Sequence, residues 1–333
     1  MTSLPIGLVG FFGWGNFGDE LFAEQWTRIF SQGARPVNDL LAKPYFSRSA
    51  ATVAADFDAL VIGGGDLIRT ENISQLYWHR AWKTKSIVVS GIGVATESGH
   101  VRPDVMERLR SFLDEADVLK FSVRDADSQA WVQQNLAPRF RIDLVPDLGF
   151  AALGAQDMLA PVADVPTVGL VFNRKIQASD LRVRQQLVEM QQSGAIRLRQ
   201  LVLARGVHRD MELAELLSSG VTEEVETFES VADMAAGVAG CEYLLSAKFH
   251  GLVAALANGR MCWSLRETAK AKSLMKMLGL SEMVPGNGVV QASINAGATL
   301  SPRQLGMVSN FIQEARAELE NVRSVLVRAG GKQ

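Results

Sequence analysis

The sequence contains little cysteine and little histidine. It has two cysteines, Cys241 and Cys262, and four histidines among its 333 residues. Both cysteines lie in apolar surroundings, neither has a partner at metal-ligand spacing, and the histidines are scattered, so no metal site is expected. Two isolated thiols also fit a reducing compartment. We therefore predict a cytoplasmic protein that uses no metal.

The chain also lacks a strong net charge and a long apolar run. Its formal net charge is −2, which gives no general case for nucleic-acid binding. No run of about 18 apolar residues is present, so no transmembrane segment is expected. Residues 1–13 lack the basic region of a signal peptide and lead directly into a strand-and-glycine pattern. The length allows about two domains, each with its own core.

Short apolar runs alternate with segments of helical periodicity, which predicts an α/β fold with parallel sheets. Most predicted strands end in glycine or a charged residue, so polar groups would collect along one edge of each sheet. We predict an N-terminal Rossmann-like domain over residues 1–150 and a C-terminal one over 167–300. Residues 151–166, with their prolines and small residues, form the predicted linker.

The segment 301–333 is predicted to form a long C-terminal helix that packs on or across the domains. Ser301 is a suitable N-cap, Pro302 occupies the first helical position, and Gln304 is placed to complete a capping box. An apolar stripe at helical spacing follows, and Gly330-Gly331 is predicted to end the helix. The stripe consists of Leu305, Val308, Ile312, Ala315, Leu319, Val322 and Leu326.

The first strand leads into a glycine-rich stretch that satisfies the pattern G-x-G-x-x-G over residues 13–18. Asp19 and Glu20 follow in the first turn of the next helix, where negative charge opposes a bound pyrophosphate. A dinucleotide site is therefore disfavoured. A sugar or hydroxyl site is favoured instead, with Asp19 as hydrogen-bond acceptor or base and Trp14 as a stacking face.

Glycines also follow two other predicted strands. Ala59–Ile62 precedes Gly63, Gly64 and Gly65, whose amides are suited to form a backbone nest for an anion. The alternative is a tight turn that allows close helix packing. The strand predicted over Ser86–Ser90 is expected to end in Gly91-Ile92-Gly93.

In the second half, Lys248 and His250 lie on a predicted strand-to-helix turn after the strand Tyr243–Leu245. A cation and a titratable imidazole at a helix N-terminus suit an anionic ligand with a proton to move. The alternative is a histidine that caps or packs the turn. Earlier in this half, Arg174 follows a predicted strand, and 205–210 is interpreted as a polar loop.

Taken in order, these motifs resemble the polysaccharide pyruvyl transferase family over roughly residues 6–280. The motifs are Gly15–Glu20, Gly63–Leu67, Gly91–Gly93, Ser122–Asp125, Asp147 and Lys248–Gly251, with Lys270 downstream. The resemblance implies two Rossmann-like domains facing a central cleft, as in GT-B glycosyltransferases.

The resemblance also implies an activity. Members of the family transfer pyruvate from phosphoenolpyruvate to two hydroxyls of one sugar, forming a cyclic ketal and releasing phosphate. The acceptor implied here is an exopolysaccharide or cell-wall glycan precursor, lipid-linked at the inner membrane face. The protein would be cytoplasmic or peripheral to that membrane and would need no cofactor beyond phosphoenolpyruvate as co-substrate. Homo-oligomer formation is left open.

Roles follow for individual residues. His250 and Asp19 become candidates for proton transfer, since ketal formation moves several protons. The predicted substrate-binding residues are Trp14, Asn16, Gly63, Gly64, Gly65, Arg174, Lys248 and Lys270. The Arg-Leu-His of the family is Lys248-Phe249-His250 here, and lysine keeps the charge without the bidentate fork of arginine. The family's aromatic-Asp-x-Lys segment is also altered, to residues 265–270.

Two other functions share many of these features. A GT-B glycosyltransferase that uses a nucleotide-sugar would also place basic residues on the second domain, where they hold a diphosphate. A non-catalytic glycan-binding protein is compatible with the altered motif at Lys248. Release of phosphate from phosphoenolpyruvate in the absence of nucleotide separates these alternatives from the pyruvyl transferase.

Overall fold

The computed structural model describes residues 5–31, 33–96, 99–153, 163–221, 224–280 and 289–330. The chain folds into two compact units. The first comprises Met1–Gly13, Gly18–Leu148 and Gln313–Gln333, and the second comprises Trp14–Phe17 and Gly149–Ile312. Of the predicted linker, residues 154–162 lie outside the described ones.

The first unit contains a parallel sheet covered by helices. Its elements are β1 (Ile6–Val9), α1 (Phe17–Ile29), β2 (Ala34–Pro36), α2 (Ala50–Ala55), β3 (Ala59–Gly63), β4 (Asp66–Arg69), a 3₁₀ helix (Arg80–Thr84), β5 (Ser86–Ala95), α3 (Pro103–Glu115), β6 (Asp117–Val123), α4 (Ala126–Leu136) and β7 (Asp143–Leu144). The strand order is β2-β1-β3-β5-β6-β7, and β4 pairs with the end of β5. Every residue of β1 and β3 is buried, as expected for strands covered on both faces.

The second unit repeats this arrangement with fewer strands. Its elements are α5 (Gly149–Leu153), β8 (Thr167–Val171), α6 (Ala178–Gln192), β9 (Arg197–Leu201), α7 (Gly206–Ser218), α8 (Val231–Ala239), β10 (Tyr243–Ser246), α9 (Phe249–Ala257), β11 (Met261–Ser264), α10 (Ala269–Met277), α11 (Val289–Asn295) and the part of α12 (Pro302–Gly330) that precedes residue 313. All pairs in the sheet β11-β10-β8-β9 are parallel. The expectation of an α/β fold with parallel sheets and a long C-terminal helix is confirmed.

Both sheets have the same winding order. In each, the second strand lies on one side of the first and the later strands extend from its other side. Ligands of open α/β sheets bind outside the carboxyl ends of the strands at this switch point. The switch point lies between β1 and β3 in the first unit and between β8 and β10 in the second.

The long helix α12 has the predicted N-terminal cap. Gln304 Oε1 accepts the amide of Ser301 at 2.8 Å, and Ser301 Oγ accepts the amide of Gln304 at 3.4 Å. The helix extends to Gly330, the first of the two glycines predicted to end it, and Gly331 lies outside the described residues. The apolar stripe is buried from Val308 to Leu326.

Glu318 gives this helix one buried polar anchor. Its carboxylate accepts hydrogen bonds from Ser90 Oγ at 3.0 Å and Ser122 Oγ at 2.7 Å, and it lies 3.2 Å from Lys120 Nζ. Ser90 belongs to β5, and the other two belong to β6. Residues of α12 from position 313 onwards therefore complete the first unit.

Two local predictions were wrong. Gly91-Ile92-Gly93 does not end a strand, because β5 continues to Ala95. Gly91 has φ +63° and lies where the pairing with β6 shifts register, so the glycines accommodate a bulge within the strand. Residues 205–210 are not a loop, because α7 already begins at Gly206. They are polar because the first one and a half turns of α7 face mostly towards solvent.

Candidate functional site

At the switch point of the first unit, Asp19 lies beside the glycine turn that follows β3. Gly64 and Gly65 have φ +81° and +82°, which residues with a side chain rarely adopt. A Cβ at Gly65 would be 3.3 Å from Asp19 Oδ1, and one at Gly64 would be 2.7 Å from the ring of Phe22. The turn therefore packs closely on α1, and the neighbouring carboxylate opposes an anion at Gly65.

Other residues define the surroundings of Asp19. Glu20 Oε1 accepts the amide of Gly13 at 2.7 Å and so closes the loop after β1. Burial raises the pKa of Tyr77, and the negative charge of Asp19 raises it further. Asp19 itself is 6% exposed. A buried carboxylate beside a glycine turn is suited to accept a hydrogen bond or a proton from a hydroxyl group.

Three of the sequence motifs meet in a charge cluster in the same unit. The guanidinium of Arg124 bonds to Asp66, lies 3.4 Å from Asp147 Oδ2 and 4.0 Å from Asp125 Oδ2. Burial lowers the pKa of Arg124, but the three carboxylates outweigh burial and raise it. A Cβ at Gly93 would be 2.3 Å from Asp66 Oδ1. One guanidinium therefore faces three carboxylates inside the first unit.

In the second unit, the turn between β10 and α9 is held by Ser246. Its hydroxyl accepts the amide of Lys248 at 3.0 Å and donates to the carbonyl of the same residue at 2.7 Å. A Cβ at Gly251 would be 2.4 Å from Ser246 Oγ, which explains the glycine after His250. This local geometry places Lys248 at the N-cap of α9 and His250 in its first turn.

The side chain of Lys248, which the sequence assigned to an anionic substrate, lies inside the protein. Its ammonium is 2.6 Å from Glu212 Oε1 and donates to the carbonyl of Leu203 at 2.7 Å. Burial raises the pKa of Glu212, and the charge of Lys248 partly offsets this effect. A protein carboxylate therefore neutralises the first cation of the motif.

His250 and Lys270 both contact Phe249. The rings of Phe249 and His250 meet edge-on with centroids 5.2 Å apart, and Lys270 Nζ lies 5.7 Å from the centroid of Phe249. The second distance is typical of a cation–π contact. The structure thus brings an imidazole and an ammonium group together around one aromatic ring at the start of α9.

Arg174 lies in the loop after β8, the other strand of this switch point, and its side chain is exposed. Its charge lowers the pKa of Glu212, against the larger effect of burial. The loop is fixed from two sides. The amide of Ile176 donates to Glu215 Oε1 at 3.0 Å, and Arg266 Nη2 donates to the carbonyl of Lys175 at 2.8 Å.

Trp14 and Asn16 are counted with the second unit. Asn16 forms an isolated antiparallel bridge with Ala204, and the amide of Arg205 donates to the carbonyl of Gly15 at 2.8 Å. A Cβ at Gly15 would be 1.9 Å from the carbonyl oxygen of Arg205. Glycine is therefore required at this close approach of two backbones. Asp19, Gly63, Gly64 and Gly65 instead belong to the first unit.

Sequence reasoning missed Glu212 and Glu215 on α7. Had 205–210 been interpreted as helical, a stripe at a spacing of four residues would have indicated Glu212. His208, Glu212 and Leu216 are all buried, so a carboxylate occupies a core position of this helix. A buried carboxylate on an apolar stripe indicates a cationic partner elsewhere in the fold.

Within the described part of the chain, no helix is long and apolar enough to cross a bilayer. The same residues contain no group of three or more histidine, cysteine or acidic side chains arranged to hold a metal ion.

A family model for polysaccharide pyruvyl transferase matches residues 16–266. No curated protein sequence gives a significant match.

Solved structures share the fold at low sequence identity. A UDP-N-acetylglucosamine 2-epimerase is 11% identical with a TM-score of 0.55, covering 100% of this chain and 98% of its own. A putative enzyme of the same name from Listeria monocytogenes is 9% identical with a TM-score of 0.51, covering 98% and 96%. WaaG, a glycosyltransferase involved in lipopolysaccharide biosynthesis, is 11% identical with a TM-score of 0.50, covering 96% and 99%. These neighbours, with the parallel sheets and long C-terminal helix, confirm the GT-B-like fold class.

Proposed function

The chain belongs to the polysaccharide pyruvyl transferase family, and on that premise we propose that it transfers pyruvate from phosphoenolpyruvate to two hydroxyls of one sugar. The observation that carries the proposal is the family match, which covers residues 16–266. The proposed acceptor is a glycan precursor of an exopolysaccharide or cell wall, and it is expected to be lipid-linked at the inner membrane face.

The proposed reaction defines what the residues must do. Two bonds form between sugar oxygens and C2 of phosphoenolpyruvate, while the C2–O bond to phosphate breaks and the carbon–carbon double bond is lost. One hydroxyl proton ends on the methylene carbon, which becomes a methyl group, and the other leaves with the phosphate. The site therefore needs cations for a carboxylate and a phosphate, and groups that move protons.

For the pyruvate donor we assign Arg174, Lys270 and His250 in the second unit. Arg174 is exposed at the end of β8, and Lys270 contacts the same aromatic ring as His250 at the start of α9. The loop after β8 and the turn between β10 and α9 flank the switch point of this unit. The turn also leads into the N-terminus of α9, where a helix favours negative charge. His250 is the proposed acid or base for the methylene carbon or for a hydroxyl.

For the acceptor sugar we assign Trp14 and Asn16 in the second unit, and Asp19 in the first unit is assigned separately as a candidate for proton transfer. Asp19 supplies a buried carboxylate to take a hydroxyl proton, and Trp14 supplies a half-buried indole on which a sugar ring can stack. Gly63, Gly64 and Gly65 are assigned to shaping the turn beside Asp19, because their close contacts with α1 and the nearby carboxylate favour packing over anion binding.

The test is phosphate release from phosphoenolpyruvate in the presence of bacterial glycolipid extracts or synthetic glycosides, without nucleotide. The product is examined by mass spectrometry for a carboxyethylidene ketal. A nucleotide-sugar panel with the same acceptors is the comparison. Transfer of a sugar from a nucleotide without phosphoenolpyruvate turnover would replace the proposal with a glycosyltransferase. Glycan binding without either reaction would indicate a binding protein.

A further inference from the structure

Helix α7 carries two carboxylates that reach different loops of the second unit. Glu212 meets Lys248 on the turn between β10 and α9, and Glu215 accepts the amide of Ile176 in the loop after β8. They lie three positions apart, which places them on the same side of the helix. One helix therefore supports both loops that flank the switch point.

The contact of Lys248 extends beyond Glu212. The carbonyl of Leu203 accepts the ammonium of Lys248 at 2.7 Å and also the amide of Phe17 at 3.4 Å. Glu212 is 4% exposed and Lys248 is 9% exposed, so these contacts are formed away from bulk water. A single carbonyl thus links the buried ion pair to the backbone of the glycine-rich N-terminal segment.

The same N-terminal segment has further backbone contacts with residues 203–205. The amide of Arg205 donates to the carbonyl of Gly15, and Asn16 forms a bridge with Ala204. Residues 15–17 therefore contact the backbone of residues 203–205, and Lys248 contacts the carbonyl of Leu203 in the same segment. Displacement of Leu203 would move Asn16, which the proposed function assigns to the acceptor.

We propose that Glu212 and Lys248 form a positioning pair that fixes residues 15–17 through the carbonyl of Leu203, and that neither side chain binds the pyruvate donor. This inference rests on the proposed function for its catalytic consequence. Charge balance supports it, because the carboxylate of Glu212 neutralises Lys248. The cations for an anionic donor are then Arg174 and Lys270.

Neutral substitutions separate positioning from donor binding. In Glu212→Gln and in Lys248→Met, turnover should fall about 10- to 100-fold, since small displacements of positioned groups cost that much. The KM for phosphoenolpyruvate should stay within about threefold, because uniform donor binding is not removed. Lys248→Arg keeps the positive charge and can donate N–H groups to both Glu212 and the carbonyl of Leu203. This variant should therefore retain most of the turnover.

The double variant Glu212→Gln/Lys248→Met separates positioning from simple stability. Removing one partner of a buried ion pair leaves an uncompensated charge, whereas removing both does not. The double variant should therefore melt closer to the parent than either single variant. It should still turn over slowly, because no ammonium holds the carbonyl of Leu203. Recovery of parent turnover would reduce the pair to a stability element and overturn the proposal.

Hydrogen exchange gives a readout that needs no substrate. The amides of Phe17 and Arg205 should exchange at least about tenfold faster in both single variants, because local opening becomes easier. Glu229→Gln is the matched control, since that carboxylate forms an exposed ion pair with Arg209 in the same unit. It should leave exchange, melting and turnover unchanged.

The outcomes distinguish this inference from the proposed function. If the parent does not turn over phosphoenolpyruvate, the proposed function fails while the exchange rates still decide the positioning role. Unchanged exchange at Phe17 and Arg205 in both single variants would overturn the positioning pair. So would a KM for phosphoenolpyruvate that rises more than about tenfold in Lys248→Met with turnover intact, because uniform binding would then have been lost.

Discussion

Around the turn between β10 and α9, the residues differ in what they can offer to a substrate. Lys248 faces a buried carboxylate, whereas His250 and Lys270 lie around the ring of Phe249 and Arg174 is exposed. We therefore assign different roles to Lys248 and His250, although they belong to the same motif. Substitutions at single positions can test each role against a nearby control.

His250 is expected to transfer protons. Replacing it with glutamine keeps some hydrogen-bonding capacity but removes a group that can be an acid or base, so turnover should fall about 10²- to 10⁴-fold. Donor affinity and melting temperature should change little. His100→Gln, at an exposed position in the first unit, is the control. A His250→Gln variant with more than about a tenth of parent turnover would exclude the catalytic role.

Arg174 and Lys270 are expected to hold the anionic groups of phosphoenolpyruvate. Arg174→Ala and Lys270→Met should each weaken its binding by about 1.5–3 kcal/mol, the range for a hydrogen bond to a charged group. Calorimetric titration with phosphoenolpyruvate measures this loss directly. Lys272→Met, on the same helix but paired with Glu267 at the surface, should bind normally. Normal affinity in both test variants would assign the anion to other residues.

At the scale of the element, the 3₁₀ helix of the first unit contains a pH-sensitive cap. His79 Nδ1 accepts the amide of Ala81 at 3.1 Å, which requires a nitrogen without a proton. Burial lowers the pKa of His79, and the charge of Arg80 lowers it further. The folded state therefore favours the neutral ring more than the unfolded state does.

The sign of the pH dependence follows from this difference. The stabilisation due to His79 is complete above the unfolded pKa of about 6.5 and is lost as the pH falls through that value and the lower folded one. His79→Asn keeps an acceptor at the cap and removes the titration. Its melting temperature should change less between pH 8 and pH 5 than that of the parent. Equal changes in both proteins would show that His79 does not contribute.

Helix α12 depends on Glu318 for its polar anchor. Glu318→Ala would leave Lys120 and the hydroxyls of Ser90 and Ser122 without the carboxylate that they share. Breaking a buried ion pair costs about 3–5 kcal/mol, and the contact of Lys120 with Asp143 at 2.6 Å places the expected loss near the lower limit. Urea unfolding measures it. Glu320→Ala, on the exposed side, should change stability by less than about 0.5 kcal/mol.

At the scale of helices and strands, sequence patterns predicted the local features that are determined by residues close together in the sequence. The cap of α12, the strand before Lys248 and the turn at His250 follow from short-range patterns, and the structure has them. Strand β4 was not predicted, because Asp66 follows three glycines and its pairing with β5 is visible only in the folded sheet. Helix α7 was predicted to start too late, because its first residues are polar on a mostly solvent-facing turn.

At the scale of the whole molecule, strand order decides which residues meet. The pairing of Lys248 with Glu212 depends on α7 lying close to the turn between β10 and α9, and neither local sequence indicates the other. The cluster around Arg124 likewise joins three separated motifs. Composition and motif order predicted the fold class and family, whereas the internal partners of Lys248 and Arg124 could be identified only from the folded arrangement.

The location of Glu318 has a consequence for synthesis of the protein. The first unit contains residues 313 onwards, but the ribosome makes these residues only after the whole second unit. Until then, Ser90 and Ser122 lack the carboxylate to which they donate in the native sheet. A nascent chain therefore cannot complete its N-terminal unit during translation of that unit. The part of the protein that is translated first is the last to acquire all its native contacts.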